Sequence, residues 1–436
     1  MKLLFVSLGC DKNLVDSEEM LGLLTGNGFE IVDDETEAEA IVVNTCCFIN
    51  DAKEESVNTI LEMAEYKKTG SCKVLVVTGC MAQRYKNEII EEVPEVDAVL
   101  GTTSYGDILK AIREAMEGKH FQEFKDIDYL PEKLGKRVLT TGGHFGYLKI
   151  AEGCDKHCTY CIIPYARGPV RSLSLEQAVE QTRQLAAEGY REIVLTGIEI
   201  SSWGHDLKNG QSLIDLLEAL SAAAPEVRLR LGSLEPRTVT EDFCRRAAAL
   251  PNLCPQFHLS MQSGCDATLK RMNRKYDTAR YLESVTLLNH WFDRPAVTTD
   301  LITGFPEETE EEFAQTLDFI RKCRFAQMHI FPYSIRPGTP AAKMEQVPKA
   351  VKEERARRAA AVAEEMHRSY LEGCVGQTYP VLFEQPKNGK FFGHAPNYME
   401  VLVDGAELHN ALRTVRITDV DGEALLGEIV EQEAET

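Results

Sequence analysis

Long hydrophobic runs are missing from this sequence of 436 residues. A membrane-spanning helix needs about 20 consecutive apolar residues, and no stretch of the chain comes near that length. Residues 1–7 have the composition of a β-strand, and they lack the small-residue cleavage site that follows a secretory signal. We therefore expect a cytoplasmic protein that does not enter the membrane.

Basic charge is also scarce. Lysine and arginine number 48 against 69 aspartates and glutamates, which leaves a formal net charge of −21 at pH 7. Broad, non-specific binding to nucleic acid depends on neutralising many phosphates, so this balance argues against it without excluding a local basic groove. Hydrophobic residues at 44% and charged residues at 27% are ordinary for a globular protein. The length predicts two or three domains.

Cysteine, by contrast, is plentiful, with 13 residues in the chain. In a reducing compartment this number favours metal ligation or buried thiols over disulfides. Cys154, Cys158 and Cys161 form a C-x3-C-x2-C loop after the apolar segment 145–151. Three thiolates are one ligand short of a full set for a four-iron cluster or a structural zinc ion. The spacing resembles that of radical S-adenosylmethionine (SAM) enzymes, and a zinc loop completed by His157 or a distant residue is the alternative.

The N-terminal part of the chain alternates strand-like and helical stretches. The strand-like runs are short, apolar and β-branched, as in buried parallel strands, and they cover residues 3–7, 40–44 and 73–78. Helices are predicted at residues 15–27, 52–67, 84–92 and 105–117. This alternation predicts an α/β domain built on an open, doubly wound parallel sheet.

Cys10, Cys46 and Cys80 each follow one of these three strands within a few residues. Because ligands of open α/β sheets bind at the carboxyl ends of the strands, we expect the three thiols to converge there. A second three-thiolate metal site is therefore predicted. The alternative is that each is a buried thiol, as cysteine often is, and that is our interpretation of Cys47 and Cys72.

The central part of the chain predicts a partial (β/α) barrel. Strand-like runs at residues 192–196, 227–231, 256–259, 296–302 and 327–331 are separated by helical stretches. With the strand before the cysteine loop they make about six βα units, and function is expected at the carboxyl ends of the strands. The histidines within these runs, His258 and His329, are interpreted as packing residues rather than ligands.

Several residues at those strand ends are candidates for contacts with SAM. Glycine allows close backbone approach and a carboxylate can hold an amino group, which favours Gly197 and Glu199. The stretch that begins at Gly304 resembles the G-x-P-x-E stretch that radical-SAM enzymes place near the adenine. The predicted cofactor-binding set is Tyr160, Gly197, Glu199, Arg230, Gln262, Ser263, Gly304 and Pro306. No conventional acid–base pair is predicted.

The C-terminal part divides into a helix and a small β domain. Residues 349–370 are charged and alanine-rich, which predicts a long helix whose arginines, such as Arg355, lie on a solvated face or alternatively on an edge that faces RNA. Five short strand-like runs follow from residue 376 and predict a small barrel. It resembles the RNA-binding TRAM domain. Because basic residues are few there, RNA contact would depend on stacking by Phe391, Phe392, His394 and Tyr398.

The residues around the N-terminal cysteines resemble the radical-SAM methylthiotransferase family. The matching stretches are Leu8-Gly9-Cys10, Asn44-Thr45-Cys46 and Thr78-Gly79-Cys80-Met81-Ala82-Gln83-Arg84. In that family the three cysteines hold an auxiliary four-iron cluster whose open iron carries the sulfur to be inserted. The resemblance covers essentially the whole chain. It implies a methylthiotransferase domain at 1–125, a linker at 126–143, a radical-SAM core at 144–372 and a TRAM-like domain at 373–436.

Within the family, the two halves of the chain resemble different branches. Residues 1–163 are similar to the RimO branch, which modifies an aspartate of a small-subunit ribosomal protein. From Pro164 onward the sequence is similar to the MtaB branch, which methylthiolates C2 of threonylcarbamoyladenosine beside the tRNA anticodon. Because the barrel and the terminal domain should face the substrate, tRNA is the predicted substrate and the ribosomal protein, or the ribosome, is the alternative.

The resemblance also implies the chemistry and the cofactors. The cluster at Cys154, Cys158 and Cys161 would bind SAM through its open iron and, once reduced, cleave it to a deoxyadenosyl radical. That radical would abstract hydrogen from an unactivated carbon, sulfur from the second cluster would attack the carbon, and another SAM would supply the methyl group. Two 4Fe-4S clusters, SAM, an electron donor such as flavodoxin or ferredoxin, and a sulfur donor are expected. A radical-SAM enzyme of different outcome and a non-catalytic zinc- and RNA-binding module are the alternatives.

Overall fold

The computed structural model describes residues 1–130, 136–387, 389–405 and 407–430. They form two compact units. The first comprises Met1–Thr140, Ala151–Arg171 and Ser334–Thr339, and the second comprises Thr141–Ile150, Ser172–Tyr333 and Pro340–Thr436. These units divide the chain differently from the four predicted segments, because the loop with Cys154 groups with the N-terminal sheet, and residues 131–135 of the predicted linker lie outside the described part. No described helix is long and apolar enough to cross a membrane.

A six-stranded sheet forms the centre of the first unit, and every pair of neighbouring strands in it is parallel. Along the chain, the strands are β1 (Lys2–Ser7), β2 (Glu30–Ile31), β3 (Ala40–Thr45), β4 (Val74–Gly79), β5 (Ala98–Leu100) and β6 (Phe121–Glu123). In the sheet they lie in the order β2-β1-β3-β4-β5-β6. The helices are α1 (Asp11–Gly26), α2 (Asn50–Thr69), α3 (Cys80–Tyr85), α4 (Asn87–Glu92), α5 (Ile108–Met116) and α6 (Ile163–Arg167). The predicted α/β class is confirmed.

Both faces of this sheet are buried, since successive side chains of a strand point to opposite faces. Ile41 and Val43 of β3 belong to an apolar cluster with Ile60 of α2. Their neighbour Val42 belongs to a second cluster with Met20 of α1. The β-branched residues that predicted these strands thus pack into an apolar core on each face of the sheet. The helix predicted at 84–92 is wrong in one respect, because the backbone at Lys86 is left-handed (φ 41°) and separates α3 from α4.

The second unit contains two four-stranded sheets, ordered β10-β9-β7-β8 and β11-β12-β13-β14. The strands are β7 (Phe145–Glu152), β8 (Arg171–Ser172), β9 (Glu192–Gly197), β10 (Arg228–Leu231), β11 (Ser233–Leu234), β12 (Gln256–Leu259), β13 (Ala296–Thr303) and β14 (Gln327–Pro332). An isolated parallel bridge joins Leu229 of β10 to Leu253, three residues before β12. The helices between the strands are α7 (Leu175–Ala187), α8 (Leu213–Ala223), α9 (Glu241–Ala248), α10 (Asp266–Arg271), α11 (Thr278–Trp291) and α12 (Glu310–Cys323). This is the predicted partial barrel.

A long helix and a closed five-stranded barrel complete the second unit. The helix is α13 (Lys349–Cys374), and the strands are β15 (Thr378–Lys387), β16 (Lys390–His394), β17 (Glu400–Val403), β18 (Leu412–Asp421) and β19 (Ala424–Ile429). The predicted small barrel is confirmed, and it closes in the order β15-β16-β17-β19-β18. Two expectations are wrong here. Arg355 is buried against Glu308 rather than solvated, and Phe391 and Phe392 are buried, so neither ring is available for stacking on RNA.

Candidate active site

The three N-terminal cysteines follow three adjacent strands. β1 pairs with β3 and β3 with β4, all in parallel, and Cys10, Cys46 and Cys80 come within three residues of the ends of these strands. The loop of Cys10 lies against Cys46, since a Cβ placed on Gly9 would be 2.7 Å from the Cβ of Cys46 and 3.0 Å from its Sγ. The structure therefore brings these three residues to one edge of the sheet.

The end of β4 can be occupied only by glycine. Gly79 has a φ of +94°, and a Cβ there would lie 2.3 Å from Oδ1 of Asn44 and 2.5 Å from the carbonyl oxygen of Thr45. Side chains rarely adopt this backbone conformation, and the neighbouring atoms leave no room for one. The close approach sets Cys80 beside the strand end that carries Cys46.

A buried amide that the sequence analysis missed connects these strand ends. Nδ2 of Asn13 donates to the carbonyl oxygen of Leu8 at 3.0 Å and to that of Thr45 at 2.9 Å. Asn44 in turn donates to the main-chain oxygen of Asn13 at 2.9 Å. These bonds fix the residues that precede Cys10 and Cys46. The only signal in the sequence was the position of Asn13, three residues after Cys10.

Arg167 is the second residue that the sequence analysis missed. It ends α6, and its side chain is almost fully buried, at 1% exposure. Nε donates to Sγ of Cys80 at 3.2 Å, and Nη1 donates to Asp16 at 2.7 Å and to Glu152 at 3.3 Å. Nη2 donates to Oδ1 of Asn13. One guanidinium thus contacts a predicted metal ligand, the amide that orders the strand ends, and two carboxylates.

The loop with Cys154, Cys158 and Cys161 lies in the same compact unit. The main-chain N–H of Cys154 donates to the carbonyl oxygen of Gly168 at 2.9 Å, and that of Cys161 donates to the carbonyl oxygen of Cys158 at 3.0 Å. Cys158 is buried, whereas Cys154 and Cys161 are half-buried. The backbone of the loop is therefore hydrogen-bonded to Gly168, the residue that follows α6.

A second arginine connects the two cysteine-bearing loops. Nη1 of Arg336 donates to the carbonyl oxygen of Tyr160 at 2.9 Å, one residue before Cys161. Its Nε donates to the carbonyl oxygen of Phe48, two residues after Cys46, and its guanidinium lies 4.7 Å from the centre of the Phe48 ring. Arg336 therefore fixes the backbone beside one cysteine of each set.

The thiols have the chemistry of iron–sulfur ligands. Burial raises the pKa of the Cys80 thiol to about 12, although the charge of Arg167 acts to lower it, and burial also raises the pKa of Cys46. A metal must therefore displace protons from these thiols as it binds. Thiolates are soft ligands that suit iron–sulfur clusters. Within the described ranges, no group of three or more His, Cys, Asp or Glu side chains is placed so that it could hold a metal ion.

Residues of the predicted SAM set follow the strands of the core barrel in the second unit. Gln262 comes after β12, and its main chain bonds on both sides to β13, donating to Asp300 and accepting from Ile302 at 2.9 Å each. The hydroxyl of its neighbour Ser263 lies 3.4 Å from that of Thr316. These bonds fix both residues at the carboxyl end of two adjacent strands.

Gly304 and Pro306 follow the next strand, β13. The N–H of Gly304 donates to Glu308 at 2.8 Å, and a Cβ on Gly304 would come within 2.5 Å of Cγ of Lys352. Burial raises the pKa of Glu308 to about 7 although Arg355 lies beside it and acts to lower it. Buried contacts of Gly304 with Glu308 and Lys352 thus constrain the turn after β13.

The other members of the set are spread over both units. Gly197 ends β9, and the carboxylate of Glu199 accepts from the hydroxyl of Ser202. Tyr160 is buried in the first unit. Contacts of the whole set with SAM stay predictions.

Arg230 has structural partners in the described residues. Its Nε and Nη2 donate to Glu192 at 2.7 and 2.9 Å, and its Nη1 donates to the carbonyl oxygen of Pro396 at 2.9 Å. Its guanidinium lies 4.5 Å from the centre of the Tyr398 ring. Arg230 therefore connects β10 to the C-terminal barrel, and its contact with SAM stays a prediction.

His258, interpreted from the sequence as a packing residue rather than a ligand, has polar neighbours in the structure. Nδ1 lies 3.0 Å from the hydroxyl of Thr298, and Nε2 lies 3.2 Å from Oδ2 of Asp300. His329, on the neighbouring β14, is exposed. The three strands thus present polar side chains side by side.

Comparisons with known proteins cover most of the chain. The family described as "Uncharacterized protein family UPF0004" matches residues 2–101, and the Radical SAM superfamily matches residues 148–320. Among solved structures, the radical SAM methyltransferase TsrM from Kitasatospora setae has a TM-score of 0.57 at 14% identity, covering 90% of this chain and 80% of TsrM. That likeness supports the fold alone.

Relatives with a curated name are similar over nearly their full length. A protein of Lachnoclostridium phytofermentans is 46% identical over 91% of this chain and 92% of its own, and one of Acetivibrio thermocellus is 36% identical over 98% of each. Both are named ribosomal protein uS12 methylthiotransferase RimO. The similarity extends across both halves of the chain. The protein belongs to the radical-SAM methylthiotransferase family, whose members are transferases that use SAM and 4Fe-4S clusters.

Proposed function

We propose that this protein inserts sulfur and a methyl group at an aspartate of ribosomal protein uS12. The observation that carries the substrate is the identity of 46% over 404 residues to a relative named for uS12 methylthiolation. A relative that is 36% identical over 447 residues has the same name. The alternative of the sequence analysis thus becomes the main proposal, since neither relative is named for tRNA.

Two three-thiolate sites carry the chemistry in this proposal. Cys154, Cys158 and Cys161 would hold one four-iron cluster, and the N-terminal cysteines would hold the other. A cluster with one open iron supplies one-electron cleavage of SAM or carries sulfur, depending on the site. The task of the chain is to fix the ligands and exclude water, and the buried bonds of Asn13 and Arg336 do the fixing.

The SAM-binding residues proposed in the second unit are those at the ends of β9, β12 and β13. Gly304 is suited to backbone contact because its turn excludes a side chain, as the 2.5 Å approach to Lys352 shows. Glu199 supplies a carboxylate for the amino group of SAM. The remaining members are Gly197, Gln262, Ser263 and Pro306.

tRNA is the second candidate, carried by the sequence after Pro164 and by the closed five-stranded barrel at the C-terminus. The surface of that barrel gives it little support. Phe391 and Phe392 are buried, and the ring of His394 is already stacked on Tyr398 with centroids 4.5 Å apart. The net charge of −21 also opposes extended phosphate contact. The ribosomal protein is therefore the favoured substrate.

The test is expression in a bacterial host that lacks both the uS12 and the tRNA methylthio modifications. Mass spectrometry of uS12 peptides and of tRNA nucleosides reports which target gains the group. We expect the methylthio group on the uS12 aspartate only. The reductant and the sulfur donor are supplied by the host, so neither needs to be known in advance.

Two variants serve as controls for that experiment. Cys158→Ala removes a proposed ligand and should abolish modification. Cys323→Ala removes a thiol that is just as buried but lies in α12, away from either three-cysteine set in the sequence, and should leave modification intact. A methylthio group on tRNA alone would replace the proposed substrate with the second candidate, and no modification by a stable, iron-loaded protein would overturn both.

A further inference from the structure

Arg167 follows one cysteine set in the sequence but contacts a cysteine of the other set. It lies six residues after Cys161, yet its Nε donates to Sγ of Cys80 at 3.2 Å. The two residues are 87 positions apart in the sequence. A buried N–H group that donates to a cysteine sulfur also affects the electrostatics of any metal centre that this sulfur binds.

The two terminal nitrogens of the guanidinium are also hydrogen-bonded. Nη1 lies 2.7 Å from Asp16 and 3.3 Å from Glu152, and Nη2 donates to Asn13. All of these side chains are buried. A guanidinium stays protonated in proteins, so a permanent positive charge is locked beside the sulfur with a fixed donor direction. The two carboxylates hold the guanidinium in place, and Asn13 is the amide that also bonds the strand ends before Cys10 and Cys46.

We propose that Arg167 is a positioning residue that raises the reduction potential of the cluster held by Cys10, Cys46 and Cys80. The inference rests on the proposed function, because it assumes an iron–sulfur cluster at these thiols. Reduction adds one electron from an external one-electron donor and makes the cluster more negative. A hydrogen bond to a ligand sulfur and a nearby cation both stabilise the more negative state.

The test isolates each cluster in its own background. Replacing Cys154, Cys158 and Cys161 by alanine leaves only the N-terminal cluster, and replacing the three N-terminal cysteines leaves only the other. Each protein is reconstituted anaerobically with iron and sulfide, and its midpoint potential is measured by redox titration followed by electron paramagnetic resonance. This readout needs neither SAM nor a substrate.

Two substitutions probe the arginine. Arg167→Gln removes the charge and should shift the midpoint of the N-terminal cluster to a more negative potential. Arg167→Lys keeps the charge but loses the fixed donor directions of the guanidinium. The shift in midpoint potential should therefore have the same sign and be smaller. If the glutamine variant does not fold because it leaves buried carboxylates without their cation, the lysine variant still carries the test. The potential of the other cluster should change less in both.

Arg355→Lys is the matched control. Arg355 is likewise buried and paired with a buried carboxylate, Glu308, but it lies in the second unit and its described partners include no cysteine. Its substitution should leave both potentials unchanged. Equal shifts in the two clusters, or no shift in the N-terminal one, would overturn the role of Arg167 alone. Failure of the unsubstituted background to hold a reducible cluster would overturn this inference together with the proposed function.

Discussion

Glu192 offers a quantitative test of how the C-terminal barrel is held. It begins β9 and is 4% exposed, and its carboxylate accepts from Arg230 at 2.7 and 2.9 Å and lies 2.6 Å from Nη2 of Arg228. The same arginines donate to carbonyl oxygens of the barrel, Arg228 to Pro380 at 3.1 Å and Arg230 to Pro396 at 2.9 Å. Glu192→Gln therefore removes the charge that orients both arginines.

The magnitude follows from the pKa of the carboxyl group. Burial alone would raise the pKa of Glu192, but the guanidinium groups of Arg230 and Arg228 outweigh it and lower the pKa from 4.5 to about 2. That difference corresponds to about 3 kcal/mol of stability at neutral pH. It agrees with the roughly 3–5 kcal/mol expected when one partner of a buried ion pair is removed and the other charge stays buried.

The pH dependence has a defined sign. Because the pKa of Glu192 is lower in the folded protein than its ordinary value, its stabilisation is complete above about pH 4.5 and is lost as the pH falls towards 2. The difference in unfolding free energy between the protein and Glu192→Gln should therefore be about 3 kcal/mol at pH 7. It should shrink steadily below pH 4.5.

Urea unfolding followed by tryptophan fluorescence measures this difference. The chain has 2 tryptophans, Trp203 and Trp291, and both lie in the second unit, so their emission reports the unit that contains Glu192. Asp242→Asn is the matched control, because its pair with Arg245 is exposed to solvent and should contribute little to stability. A loss of stability for Glu192→Gln no larger than that of the control, or a loss that does not depend on pH, would show that the buried ion pair does not hold the barrel.

Four further predictions concern the cysteine sites. Gly79→Ala should lower the iron content of the N-terminal site, because the added Cβ would lie 2.3 Å from Asn44; Gly118→Ala, at φ +77° with open space around it, is the control and should keep its iron. Cys158→Ala should abolish the formation of deoxyadenosine from SAM, measured by chromatography, and residual formation at the original rate would contradict the assignment. Cys46→Ala should leave that cleavage measurable while blocking the methylthio product, and an unaltered product yield would rule out the auxiliary role. Anaerobic reconstitution should give about eight irons with matching sulfide per chain, whereas two zinc ions and no sulfide would support the zinc alternative.

The sequence was sufficient to predict the strand ends that carry the N-terminal cysteines. Short β-branched runs mark buried parallel strands, and a cysteine after each of three such strands has to lie at one edge of the sheet. The residues that order this edge could not be predicted in the same way. Arg167 reaches Cys80 across 87 positions, and nothing local in the sequence indicates that contact.

The C-terminal barrel shows the same limit. Its five strands follow from composition and turns, but the environment of each aromatic ring depends on closure of the barrel. Phe391 belongs to the apolar core, whereas its neighbour Phe392 is covered by His394 and by the ammonium group of Lys387. The partners of Arg230 could not be predicted for a related reason, since Glu192 and Pro396 come from other strands and loops.

We propose that this chain methylthiolates ribosomal protein uS12, and one measurement tests that proposal directly. The purified, anaerobically reconstituted protein is incubated with a strong one-electron reductant, sulfide, SAM labelled in its methyl group, unmodified small ribosomal subunits and unmodified tRNA. Mass spectrometry then locates the label. We expect a labelled methylthio group on the aspartate-containing peptide of uS12 and none in tRNA nucleosides. Label in the tRNA adenosine with none in uS12 would contradict it.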